Sequence, residues 1–185
     1  MPNQPTVVKV APTDRGCCIR VEGCGTMQES HAAQDVAART LLTSPEAVVV
    51  FDLCDCEYLD STFIGCLLQL YRNFGRTKPP RFTVAAPQVK RKKLLGACAI
   101  DKVLPSVDAP PEVLGQWVNL AQCKGDRTQL MRHVMECHRA LAEVDCPMKG
   151  AFAKIADGIE KDLARAPAPA EVSSSALSSS SATTV

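Results

Sequence analysis

Apolar and turn residues alternate over the first third of the chain. Residues 6–10 are predicted to form a short strand, and residues 17–22 alternate apolar with polar positions, as in a strand with one solvent-facing side. Residues 14–16 form the turn between them. Residues 27–42 carry apolar side chains at helical spacing, and Ser44-Pro45 discourages continuation of that helix. The pattern therefore predicts two strands followed by a helix.

The next segment is strongly apolar and changes its period in the middle. Residues 47–54 are nearly continuous in apolar side chains, which predicts a central strand buried on both faces. An acidic stretch around Asp55 and Glu57 follows, and then a helical spacing of apolar residues: Ile64, Leu67, Leu68 and Tyr71. Ser61 is therefore predicted at or next to the N-cap of a buried helix.

Shorter elements complete the first part of the chain. A strand is predicted over residues 81–86, a helix over 88–95 that ends at Gly96, a short strand over 102–104, and a helix from Pro111 to Leu120. The order strand, strand, helix, strand, helix, strand, helix, strand predicts an α/β fold, with a mixed β-sheet flanked by helices.

Two amphipathic helices are predicted beyond Lys124. Their apolar positions step by three and four residues: Leu130, Val134, Cys137, Leu141 and Val144, then Met148, Phe152, Ile155, Ile159 and Leu163. Neither helix can bury its apolar stripe alone, so we expect a C-terminal helical hairpin packed on the core or on a second copy of the chain, which would make a homodimer. The Ala-Pro and serine runs after it predict a disordered tail. This divides the chain into residues 1–121, 122–165 and 166–185.

The segment around Ser61 resembles the signature of STAS domains, the sulfate-transporter and anti-sigma-factor-antagonist family. The family pattern is an apolar strand with an aspartate, a short loop, then Asp-Ser, Ser or Thr, Gly, an aliphatic residue and a small residue. Here these positions are Asp52, Asp60-Ser61, Thr62, Phe63, Ile64 and Gly65, and Phe63 departs from the usual glycine. With the order of strands and helices included, the resemblance covers roughly the first 110 to 120 residues.

The resemblance implies an anti-sigma-factor antagonist, a non-enzymatic signalling protein in transcription regulation. In such antagonists a partner kinase phosphorylates the serine after the aspartate, which nominates Ser61, with Thr62 as the alternative. An anti-sigma factor or serine kinase is then expected to dock on six residues: Asp60, Ser61, Thr62, Phe63, Ile64 and Gly65. A STAS scaffold or transporter-accessory module without phosphorylation is the alternative, and Phe63 favours it. From the residues alone, without the resemblance, a helix N-cap is the preferred interpretation of Ser61.

Composition narrows the setting of the protein. The chain has 185 residues, 46% of them hydrophobic, and a net charge of +1, so nothing global favours nucleic acid or an anionic membrane. No stretch approaches the roughly 18 apolar residues of a membrane span, and a cytoplasmic location is expected. The basic run from Lys90 to Lys93 is interpreted as a solvated helix face, with phosphate or nucleic-acid binding as the alternative.

Ten cysteines need an explanation. They form no C-x-x-C pair, which argues against a zinc knuckle or a thioredoxin-type motif, and we interpret them as small buried side chains. The alternative is a metal or thiol-redox protein that uses Cys54 with Cys56 on one side of a strand, or His133 with Cys137 on a helix. His138 is interpreted as a boundary histidine. No nucleophile and base stand at a readable spacing, so the sequence predicts neither an enzyme nor a cofactor.

Overall fold

A computed structural model of the protein describes residues 6–120 and 126–165. Its elements in chain order are β1 (Val7–Thr13), β2 (Gly16–Gly25), α1 (Met27–Thr43), β3 (Val48–Asp52), β4 (Cys56–Leu59), α2 (Ser61–Leu70), β5 (Phe82–Ala85), α3 (Gln88–Leu95), β6 (Ser106–Val107), β7 (Val118–Asn119), α4 (Arg127–Ala142) and α5 (Lys149–Arg165). A π-helical turn, Tyr71–Gly75, extends α2, and a 3-10 turn, Gly96–Cys98, follows α3.

The strands form one mixed sheet. Its order is β6-β5-β3-β2-β1-β7, and β4 pairs with the far end of β2. The pairs of β1 with β2 and with β7 are antiparallel, whereas the pairs that join β2, β3, β5, β6 and β4 are parallel. The predicted α/β fold with a mixed sheet flanked by helices is confirmed.

Strand β3 is central and buried on both faces, as its sequence predicts. On one face Phe51 packs against Phe63 of α2 and Phe82 of β5. On the other face Val50 belongs to a smaller cluster, partly covered by Trp117. The central strand therefore fixes the position from which β4 and α2 start.

Two predicted elements near the end of the sheet are wrong. Residues 102–104 form a turn, and the strand comes two residues later as β6. The helix predicted from Pro111 to Leu120 does not form, because the edge of β1 offers this segment backbone partners: Leu114 N donates to the Pro12 carbonyl and Leu120 N to the Val8 carbonyl. The segment therefore runs as a loop that ends in β7.

Strand β4 is an element that the sequence pattern does not reveal. It has four residues, and its two middle residues, Glu57 and Tyr58, are exposed. Cys54 lies in the turn before it, so Cys54 and Cys56 are not two positions of one strand as the sequence suggested. Because β4 leads directly into α2, it fixes where α2 begins.

The C-terminal helices form the predicted hairpin, and it packs on the core of the same chain. Helix α4 lies on α1 and α2, and α5 packs against α4. Residues of both helices are buried: Cys137, Leu141, Phe152 and Ala156. The predicted tail, residues 166–185, and the predicted boundary at 121–122 lie outside the described residues, so the division into three segments stays a prediction.

Candidate functional site

Asp60 is the N-cap of α2. Its Oδ1 accepts a hydrogen bond from the Phe63 amide at 2.8 Å, and its Oδ2 accepts one from the Met27 amide at 2.7 Å. Its own amide donates to the Gly25 carbonyl at 3.0 Å. One carboxylate therefore satisfies amides in the first turns of two helices, α1 and α2. Ser61 is the first residue of α2, next to the N-cap as predicted, and the capping role falls to Asp60 instead.

Ser61 is hydrogen-bonded to a histidine of the C-terminal hairpin. Its Oγ lies 2.9 Å from Nε2 of His138, whose Nδ1 lies 2.8 Å from the Val134 carbonyl oxygen. A carbonyl can only accept, so Nδ1 carries a hydrogen, and in the neutral imidazole Nε2 accepts from the Ser61 hydroxyl. Ser61 is half-buried in this arrangement.

The interpretation of His138 as a boundary histidine is wrong, and its contact with Ser61 was not predicted from the sequence. Its side chain is only 4% exposed and packs against the ring of Phe152 on α5. Ser61 and His138 stand 77 positions apart, so no spacing rule joins them. The Ser61 hydroxyl and the His138 imidazole meet only because α4 packs on α2.

The proposed docking residues do not form an open face in this structure. Thr62, Phe63, Ile64 and Gly65 are all buried. Gly65 contacts the backbone of α4 so closely that an added Cβ would lie 2.4 Å from the Cys137 carbonyl oxygen. Helix α4 therefore covers the face of α2 that the motif assigns to a partner.

Phe63 is absorbed by the core. Its ring is fully buried and meets Phe51 edge-on, with 6.3 Å between the ring centroids. Space for it comes partly from Gly25, where a Cβ would lie 3.0 Å from the Phe63 ring. The bulky residue in the motif therefore points away from the surface around Ser61.

Ser61 also lines an apolar groove between the hairpin and the sheet domain. The groove has a volume of about 500 Å³. Its lining includes Tyr58, Leu94, Met148 and Ile155, three of which are exposed large apolar residues: Tyr58, Met148 and Ile155. The site thus has one covered side, beneath α4, and one side that faces solvent through this groove.

The strand aspartate of the motif has a structural role. Asp52 is almost fully buried, and its Oδ2 lies 2.7 Å from Nε of Arg20. Its Oδ1 accepts from the Cys54 amide at 3.0 Å, which fixes the turn between β3 and β4. The Arg20 guanidinium lies 4.3 Å from the centre of the Trp117 ring, a cation–π contact. Asp52 therefore holds the chain that leads to Asp60 and Ser61.

The other candidate residues form no metal site, although His133 Nε2 and Cys137 Sγ lie 3.8 Å apart on α4. Among residues 6–120 and 126–165, no group of three His, Cys, Asp or Glu side chains is arranged to hold a metal ion. Burial raises the pKa of the Cys66 and Cys137 thiols, which disfavours the reactive thiolate. Of the basic run, Lys90 bonds to the Cys54 carbonyl, and Arg91 bonds to the Ala86 carbonyl and, at 3.0 Å, to Asp108. Two of the four basic side chains of this run therefore stabilise neighbouring loops.

Acidification is expected to weaken the packing of α4 on α1 through His133. Its Nε2 lies 2.8 Å from Ser30 Oγ, and its ring meets His31 at 5.1 Å, with Asp35 as the nearby carboxylate. Burial, and next His31, lower the pKa of His133 from 6.5 to about 4. The unfolded chain binds this proton near pH 6.5 but the folded chain only near pH 4. The contribution of His133 to the free energy of unfolding is therefore complete above about pH 6.5, falls as the pH drops, and levels off below about pH 4.

Urea unfolding at pH 7.5 and pH 5 measures this effect. The wild-type chain should lose on the order of 2 kcal/mol between these values through His133. The variant His133→Gln keeps a polar partner for Ser30 and should lose that much less. Equal losses in the two proteins would contradict the assignment.

Comparison with known proteins finds a similarity of structure. No protein-family model matches the chain, and no curated protein matches it. Among solved structures, the chain is similar to the crystal structure of an anti-sigma factor antagonist from Mycobacterium paratuberculosis, with 22% sequence identity and a TM-score of 0.46. That match covers 57% of this chain and 87% of the other. None of the described helices is both long and apolar enough to cross a membrane.

Proposed function

We propose that this protein is a cytoplasmic anti-sigma-factor antagonist that binds an anti-sigma kinase and is switched by phosphorylation of Ser61, without catalytic activity of its own. One observation carries the proposal: Asp60 caps α2, so the helix does not need the hydroxyl of Ser61, its first residue, as a cap. That is the residue at which the STAS-like motif places a phosphoacceptor. Thr62, the alternative, is 3% exposed, which favours Ser61.

Phosphorylation at this position changes binding through charge and size. A phosphate adds about −1.5 to −2 charges at pH 7 beside the Asp60 carboxylate. The amino end of α2 favours the anion, but a partner surface shaped for a small hydroxyl next to one carboxylate does not accept it. The unphosphorylated protein is therefore the form that binds the kinase, which then releases its sigma factor.

Incubation with ATP and the cognate kinase tests this function. Peptide mapping should find one phosphoryl group, on Ser61. Ser61→Ala should abolish it and retain kinase binding, whereas Ser61→Asp should weaken binding roughly tenfold or more, since about 1.4 kcal/mol of repulsion has that effect. Thr62→Val removes the alternative hydroxyl and should still be phosphorylated on Ser61. Phosphorylation confined to Thr62 or to residues 166–185 would contradict the assignment.

A STAS scaffold or transporter-accessory module without phosphorylation is the second candidate. The hydrogen bond between Ser61 and His138 favours it, because a half-buried, bonded hydroxyl also serves to dock the hairpin. The two functions differ in one measurement. A scaffold would bind its partner equally well as wild type and as Ser61→Asp, with no phosphoryl group on Ser61.

A further inference from the structure

We propose that the hairpin of α4 and α5 is a cover, within the same chain, for the α2 face on which the partner docks, so that Ser61 becomes a phosphoacceptor only when the hairpin opens. This inference rests on the proposed function and adds its regulation. It also defines the partner surface: an amphipathic helix of the kinase that takes the place of α4, with a small residue over Gly65.

Contacts between α4 and α2 coincide with the motif. His138 bonds to the Ser61 hydroxyl, and the backbone at Cys137 lies against Gly65. Cys137 and Leu141, on the same side of α4, are fully buried. The cover therefore lies on the phosphoacceptor and on the small residue of the motif at the same time.

The closed form and a phosphate on Ser61 compete for one space. A distance of 2.9 Å between Ser61 Oγ and His138 Nε2 is that of two atoms in direct hydrogen-bond contact. A phosphorus atom with three oxygens on Oγ cannot enter that gap, so His138 must move before the hydroxyl is modified. The kinase needs the same movement in order to reach α2.

The hairpin can leave without disrupting the sheet. Every described strand pairing lies within residues 7–119, and neither α4 nor α5 takes part in one. The polar contacts that hold α4 are a few side-chain hydrogen bonds, including Ser30 with His133 at 2.8 Å and Arg72 with Glu143 at 2.7 Å. Opening therefore separates α4 from α1 and α2 but leaves the sheet intact, and a partner helix can take the place of α4 on α2.

Gly65→Ala tests the cover in the full-length protein. The new methyl group collides with the α4 backbone in the closed form, whereas in the open form alanine favours the helix. Gly158→Ala on α5 is the matched control, because a Cβ there meets nothing within 4 Å. Pulsed alkylation with N-ethylmaleimide, read by peptide mass spectrometry, reports opening at Cys137, with Cys18 in the sheet as the internal reference.

We expect Cys137 to react at least tenfold faster in Gly65→Ala than in the wild type or in Gly158→Ala, while Cys18 stays protected. Leu141→Asp, which places a charge in the same interface, should have a similar effect. The rate of Ser61 phosphorylation should rise in Leu141→Asp, because this change lies on the hairpin and leaves the α2 face intact for the kinase. If both variants leave Cys137 as protected as in the wild type, the hairpin is a fixed part of the core and the inference is wrong.

Two further results separate the cover from the proposed function. If Cys137 opens in Leu141→Asp but this variant and the wild type are phosphorylated on Ser61 at equal rates, the phosphorylation switch stands and the cover is wrong. If Cys137 opens and no form is ever phosphorylated on Ser61, the proposed function fails, and the inference fails with it.

Discussion

Cutting the chain after Lys124 is expected to leave a folded sheet that exposes apolar surface and melts about 10 °C below the full-length protein. The hairpin buries large apolar side chains against the core, among them Leu141 and Phe152. Each such side chain contributes about 1.5–3 kcal/mol by burial, and 1 kcal/mol corresponds to about 2–4 °C for a chain of this size. Thermal unfolding and binding of an apolar dye measure both effects.

Removal of residues 166–185 is the control for this truncation. The sequence predicts a disordered tail there, so the shortened chain should melt with the full-length protein and bind no additional dye. A chain cut after Lys124 that is as soluble and stable as the full-length protein would contradict the packing of α4 on α2. In that case the hairpin would be an independent binding element.

Elements with a strong apolar pattern could be predicted from the sequence, because burial alone determines them. Strand β3 is a continuous apolar run and lies in the centre of the sheet, and α5 repeats its apolar residues at helical spacing. Elements without such a pattern could not be predicted. Strand β4 exposes two of its four residues, and β7 exists because the edge of β1 supplies partners for residues that would otherwise suit a helix.

The candidate site was predictable only in its local part. The placement of Ser61 beside the N-cap follows from neighbouring residues, because an apolar helix needs a cap at its start. The partner of Ser61 did not follow, since His138 reaches it through the docking of a helix that begins more than 60 positions later. The closeness of Gly65 to Cys137 is likewise a property of two packed helices and has no signature in either segment.

Phe63→Ala is expected to destabilise the protein by about 3–5 kcal/mol, the usual cost of deleting a fully buried phenyl ring. The ring fills the space between Phe51 and the Cα of Gly25, and neither neighbour can move far, because Phe51 lies in the central strand. Phe63→Gly, which restores the usual residue of the motif, should cost about 1 kcal/mol more, since glycine disfavours the helix.

Urea unfolding measures this cost, with Leu42→Ala as the control. Leu42 is 73% exposed on α1, so its truncation should change the free energy of unfolding by less than about 0.5 kcal/mol. A loss below about 1 kcal/mol for Phe63→Ala would place the ring at the surface, beside Ser61. Phe63 would then be a partner contact, as the motif first suggested. With the expected loss, the phenylalanine that replaces glycine in the motif serves the core, and its ring does not crowd the Ser61 hydroxyl.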